Sequence, residues 1–123
     1  MSKTKSTSDR LRGTLDALIL TALSGGPLHG YGISRWLAGR SGKALRVEEG
    51  TLYPALYRLE RLGWIEAEWG TSELGRRARF YRLTSAGERQ LAVEVRSFAD
   101  FVAAVSPILL PRPAVLAAVR ERA

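Results

Sequence analysis

The chain contains no cysteine. That absence excludes disulfides, thiolate nucleophiles and cysteine-based zinc sites, and it fits a reducing compartment. Histidine occurs once, as His29. No metal-ligand cluster or phosphate-binding loop is visible, so the groups most enzymes use are scarce, and neither catalysis nor a cofactor is expected. Gly30-Tyr31-Gly32 opens like a dinucleotide fingerprint, but no strand is expected before it and Arg35 stands where the third glycine belongs.

Long hydrophobic runs are also lacking. The longest apolar stretch, Val102–Leu110, is broken by Ser106 and Pro107 and falls far short of the roughly 20 residues that span a bilayer. The first residues are basic and hydroxyl-rich, without the apolar segment and cleavage site of a secretory leader, so a cytoplasmic, nucleoid-associated protein with no membrane contact is expected. Acidic residues are the minority: 12 against 19 basic ones give a net charge of +7 and a pI near 10.5. Such a surplus favours a polyanionic partner, although a solvated basic surface has the same composition. Where the charge sits decides between them.

What is present fits one compact domain, since 123 residues is a usual length for a single hydrophobic core. Residues 1–10, with Lys3 and Lys5, read as a flexible basic arm. From Asp9, the spacing of Leu11, Leu15, Leu18, Ile19, Ala22 and Leu23 predicts a helix, stopped by Gly25-Gly26-Pro27. A second helix is expected over Gly30–Arg40 with Ile33, Trp36 and Leu37 inward. His29 suits the turn or cap before it.

A third helix is expected to start with Thr51 as its cap and Pro54 in its first turn, where a missing amide costs nothing. Leu52, Ala55, Leu56, Leu59 and Leu62 form its buried stripe, Gly63 closes it, and Tyr53, Pro54, Tyr57, Arg58 and Arg61 fall outside the stripe.

After Gly63 the period changes to two. Ile65, Ala67 and Trp69 alternate with Glu66 and Glu68, and Arg79, Tyr81 and Leu83 alternate with Phe80 and Arg82, which predicts a hairpin with a basic tip around residues 71–77. Thr84, or Ser85 with Glu88, caps a fourth helix. Its Leu91, Val95, Phe98, Val102 and Val105 form a heptad-like seam, and Pro107 is expected to end it. Residues 107–123 form a proline-interrupted tail in which Ala114–Arg122 suits a short helix with Val115, Leu116 and Val119 inward.

Three helices, a hairpin and a helix describe a mainly α fold: a winged helix-turn-helix over residues 11–84, followed by a dimerisation helix over residues 85–106. The third helix can enter the major groove of double-stranded DNA while the basic hairpin reaches the flanking backbone or minor groove. Thr51, Tyr53, Pro54 and Tyr57 are the candidates for groove contact, with capping and packing as their alternative. Arg58 and Arg61 suit phosphates, Arg58 having Glu60 or Glu49 as an alternative partner. Arg76, Arg77 and Arg79 are the strongest candidates, because a guanidinium fork suits phosphates and narrow minor grooves. Lys43 and Arg46 are secondary phosphate candidates. Trp36, Trp64 and Trp69 read as core or hairpin packing residues, with an effector pocket as the alternative for an exposed one.

Residues 28–31 (Leu-His-Gly-Tyr), 48–60 (Glu-Glu-Gly-Thr-Leu-Tyr-Pro-Ala-Leu-Tyr-Arg-Leu-Glu) and 75–84 (Gly-Arg-Arg-Ala-Arg-Phe-Tyr-Arg-Leu-Thr) resemble the signature segments of the PadR family of regulators. The resemblance spans Leu11 to Val105 and leaves the tail uncovered. It implies a homodimeric repressor of the family's smaller subgroup that binds an inverted-repeat operator, with the fourth helix of each chain against the partner's first. Leu11, Leu15, Leu91, Val95, Phe98, Val102 and Val105 would then form the dimer interface. Relatives that bind aromatic compounds imply a candidate effector pocket near Leu15, Ala17, Phe98 and Val102, with a closed dimer core as the alternative. Two positions depart from the pattern: Tyr57 stands where histidine is frequent, and Phe98 where tryptophan is frequent, which tells against an aromatic-sandwich site.

Overall fold

The computed structural model describes residues 6–110, apart from the side chains of residues 7–12. Lys3 and Lys5 of the expected arm, the side chain of Leu11 and the tail helix lie outside the described residues, but residues 7–10, expected in the flexible arm, belong to the first helix.

Helix α1 (Thr7–Leu23) is followed by strand β1 (Leu28–His29), α2 (Gly30–Arg40), α3 (Glu49–Arg61), the hairpin of β2 (Ile65–Thr71) and β3 (Arg77–Leu83), and α4 (Ser85–Leu109). The apolar stripes of α1, α2 and α3 converge on one core, in which Ile19, Leu20, Ile33, Leu52, Leu56, Leu59 and Ile65 are fully buried. Tyr81 brings the hairpin into that core, and burial pushes its phenol above the ordinary tyrosine range, opposed by the charge of Arg79.

The sheet has three antiparallel strands in the order β1-β3-β2, not the two expected. β1 is too short for an alternating pattern to betray it, and it forms by pairing Leu28 with Tyr81 and His29 with Phe80. A strand therefore does precede Gly30, contrary to expectation. His29 then caps α2, its Nδ1 accepting the Gly32 amide at 2.9 Å.

Helix α3 begins three residues earlier than expected, with Glu48 and not Thr51 in the N-cap position. The Glu48 carbonyl accepts the amides of Thr51 (3.0 Å) and Leu52 (2.8 Å), so the first turn closes without a side-chain cap and Thr51 lies inside the helix. Pro54 consequently falls beyond the first turn. Its missing amide leaves the carbonyl of exposed Gly50 to solvent, and the helix continues. Leu62, expected in the buried stripe, is exposed because α3 ends at Arg61 and the chain turns there.

Thr84 caps α4, accepting the Gly87 amide at 3.0 Å while its hydroxyl donates to the Gly63 carbonyl at 2.7 Å. A β-carbon on Gly87 would strike the Trp64 carbonyl, so glycine lets α4 start flush against the α3–β2 turn. Pro107 does not end α4 as expected: it removes one bond near the C-terminus, to the carbonyl of exposed Ala103, and the Leu110 amide still donates to Ser106 at 2.9 Å.

Helix α4 lies along α1 of its own chain. Gly13 faces the carboxylate of buried Glu94, which also accepts from Gln90 Nε2 at 2.7 Å. Leu91 and Leu15, expected at a dimer seam, pack against the chain's own core. The seam is thereby divided: Val105 is half-buried, whereas Val95, Phe98 and Val102 are exposed. Among the described residues no helix is long and apolar enough to cross a membrane.

Candidate nucleic-acid interface

Core packing of Leu52, Ala55, Leu56 and Leu59 turns the opposite side of α3 outward. Thr51, Tyr53, Pro54, Tyr57 and Arg61 all lie on that exposed side, with Tyr57 68% and Tyr53 44% accessible. Tyr57 turns its ring to solvent, whereas the ring and hydroxyl of the half-exposed Tyr53 lie against Gly30 at the start of α2.

The hairpin has two chemically different faces. Register places Trp69 opposite Arg79, Ala67 opposite Tyr81 and Ile65 opposite Leu83. Near its base this inner face joins the core through Ile65 and Tyr81, and towards the tip it carries Trp69, Arg77 and Arg79. The outer face carries Glu66 and Glu68, with Arg82 held by Glu66 at 2.8 Å. On the tip and the inner face Arg76 and Arg77 are exposed, while Arg79 is paired with Glu60 and the tip also carries Glu73.

Between the inner face and the start of α2 lies an open cavity of about 630 Å³, with Tyr31, Arg35, Tyr53, Trp69 and Arg77 in its walls. Guanidiniums lie over rings along it: Arg77 is 4.7 Å from the Trp69 ring centre, Arg35 5.8 Å from Tyr31, and Arg79 5.9 Å from Tyr81. His29 contacts the Phe80 ring at 5.2 Å and approaches Glu73 of the hairpin tip at 3.6 Å, so the start of α2 and the hairpin are joined. The tip is a tight turn in which the Ser72 amide donates to the Arg76 carbonyl at 2.8 Å.

The expected basic candidates separate into two groups. Arg61, Lys43, Arg46, Arg76 and Arg77 are exposed. Arg58, expected to be exposed, is instead half-buried and pairs with Asp16 of α1, a residue only 5% accessible. Arg79 pairs with Glu60 of α3 at 2.7 Å. Trp69, expected to pack, is 58% exposed beneath Arg77, because the hairpin extends past the core at this point. The four residues expected around an effector pocket are not gathered within one chain: Leu15 packs against the core, while Phe98 and Val102 are exposed.

Sequence reasoning missed Tyr31 and Arg35. Their i, i+4 spacing at the start of α2 was the available signal, since such pairs share a helix face. No group of His, Asp or Glu side chains suited to a metal ion occurs among the described residues.

Comparison with known proteins agrees with this geometry. The family model described as the transcriptional regulator PadR-like family matches residues 19–93. An uncharacterized protein from Lysinibacillus sphaericus is 36% identical over 93 residues, covering 76% of this chain and 85% of that one. A transcriptional regulator from Clostridium thermocellum superposes with a TM-score of 0.73 at 29% identity, covering 82% of this chain and 98% of that one. A PadR family transcriptional regulator from Eggerthella lenta gives a TM-score of 0.67 at 31% identity, with coverages of 83% and 88%. A PadR-like regulator from Bacillus cereus gives 0.67 at 29% identity, with coverages of 83% and 97%. The chain therefore belongs to the PadR-like family of transcriptional regulators, DNA-binding proteins rather than enzymes.

Proposed function

We propose that the protein is a homodimeric repressor that binds an inverted-repeat operator and occludes a promoter, working at the nucleoid in the cytoplasm. The observation that carries this reading is the one-sided chemistry of the hairpin. Its inner face and tip present guanidiniums beside the exposed side of α3, while Glu66 and Glu68 occupy the outer face. A duplex approaching from the inner side meets the exposed guanidiniums of Arg76 and Arg77, whereas on the outer face Glu66 and Glu68 outnumber the single Arg82.

In this reading residues 11–84 form the DNA-binding unit. Thr51, Tyr53, Pro54 and Tyr57 face base edges in the major groove, and Arg61, Lys43 and Arg46 contact phosphates. Arg76 and Arg77 reach the flank of the site from the hairpin. Arg58 and Arg79 act as struts instead, since each already holds a carboxylate.

Dimerisation through residues 85–106 is supported by the uncovered edge of α4, where Val95, Phe98 and Val102 would otherwise face water. A two-fold dimer presents two identical reading surfaces, hence an inverted repeat with half-sites about 10–10.5 base pairs apart or a multiple of that.

Selection from a random duplex library is the test. The expected result is enrichment of one short inverted repeat bound by two chains; enrichment of no sequence over random duplex would overturn the reading.

A further inference from the structure

We propose that Trp69 is a positioning residue for Arg77, holding its guanidinium ready for a narrow minor groove so that discrimination at the flank of the site depends on an indole that reads no base itself. This rests on the DNA-binding reading above and deepens it.

Two arginines of the hairpin's inner face have different partners. Arg79 is tied to Glu60 at 2.7 Å, which offsets its charge and braces the hairpin on α3. Arg77 has no carboxylate partner among the described residues and instead lies 4.7 Å over the Trp69 ring. Register explains the pairing: Trp69 is opposite Arg79 and Thr71 is opposite Arg77, so Trp69 and Arg77 are diagonal neighbours on one face. That diagonal is within reach of long side chains. The backbone beneath is held in turn, because Gly70 seats the Phe80 ring on the other face, and Phe80 contacts His29.

A tryptophan in this place needs a reason. It is 58% exposed and adds little to the core. As a platform it restricts a side chain that otherwise loses its rotamer freedom only on binding, and it leaves the fork's edge free to donate. Arg76 differs, since in the turn only its backbone is held, by Ser72. Arg76 therefore supplies charge, whereas Arg77 supplies charge at a fixed position. Narrow minor grooves of A·T runs concentrate negative potential and reward a guanidinium placed there.

The test uses the full chain and the duplex it selects, made in two versions with A·T runs or G·C pairs at the flanks beside the half-sites. Wild type is expected to prefer the A·T version. Trp69→Ala should shrink that preference by about two- to fivefold, Trp69→Phe should restore most of it, and Arg77→Gln should shrink it similarly. The double variant Trp69→Ala/Arg77→Gln should lose no more than Arg77→Gln alone, as expected of residues acting as a unit. Circular dichroism checks that each variant is folded. The proposal is overturned if wild type shows no flank preference, if Trp69→Ala keeps it, or if the two losses add. Failure of wild type to prefer the selected duplex over a scrambled one overturns the DNA-binding reading instead, so the two failures are distinct.

Discussion

Arg58 on α3 is ion-paired with buried Asp16 on α1, joining two helices 42 residues apart in sequence. The pair ties α3 to α1 alongside the buried stripe of Leu52, Ala55, Leu56 and Leu59, which turns Tyr57 outward. Removing the guanidinium leaves a carboxylate in a site that is 5% accessible. Arg58→Met should therefore lower stability by about 2 kcal/mol, read as a drop in Tm of roughly 6–10 °C. In the folded variant the salt dependence of DNA binding should match wild type. A flattened dependence with unchanged Tm would show that Arg58 contacts phosphate after all.

Arg76 and Arg77 should behave in the opposite way. Both are exposed, so replacing them with alanine should leave Tm nearly unchanged while weakening binding to every duplex. Each lost phosphate contact reduces the slope of log affinity against log salt by about 0.9. Titrations from low to physiological salt measure it, and an unchanged slope would remove the hairpin from the interface.

The exposed side of α3 carries the base contacts in this account. Tyr57→Ala should cost about 1–3 kcal/mol on the selected duplex and far less on a scrambled one, with little loss of stability because the ring is 68% accessible. Competition binding with both duplexes separates lost discrimination from lost affinity. Equal losses on the two would place Tyr57 outside the major groove.

Most of the helical fold was legible because burial imposes a period. The stripe of α3 and the Gly63 turn after it stood out, as did the alternation that forms the hairpin. Strand β1 did not, since two residues carry no period and depend on a distant partner strand, His29 pairing with Phe80 and Leu28 with Tyr81. The start of α3 was misplaced because a threonine before an apolar stripe usually caps, whereas here the Glu48 carbonyl closes the turn. Arg58 was misread for a related reason: helical phase tells which way a residue points, not that Asp16 lies in wait across the core. The exposed Trp69 was hidden by the same limit, because alternation does not reveal where a hairpin outgrows its core.

Val95, Phe98 and Val102 form the exposed edge of α4. Phe98→Asp should convert a dimer into single chains in sedimentation while keeping the helical signal, since the ring is 47% exposed within the chain. Loss of cooperative operator binding should accompany it. A variant that remains dimeric would place the interface elsewhere.

In the proposed dimer, two copies of the α3 and hairpin surface read one operator together. Hydroxyl-radical footprinting of the selected duplex tests it most directly. The predicted result is two equal protected segments on one face of the helix, related by a dyad, with weaker protection of the minor groove outside each. A single protected segment, or uniform protection along the duplex, would contradict it.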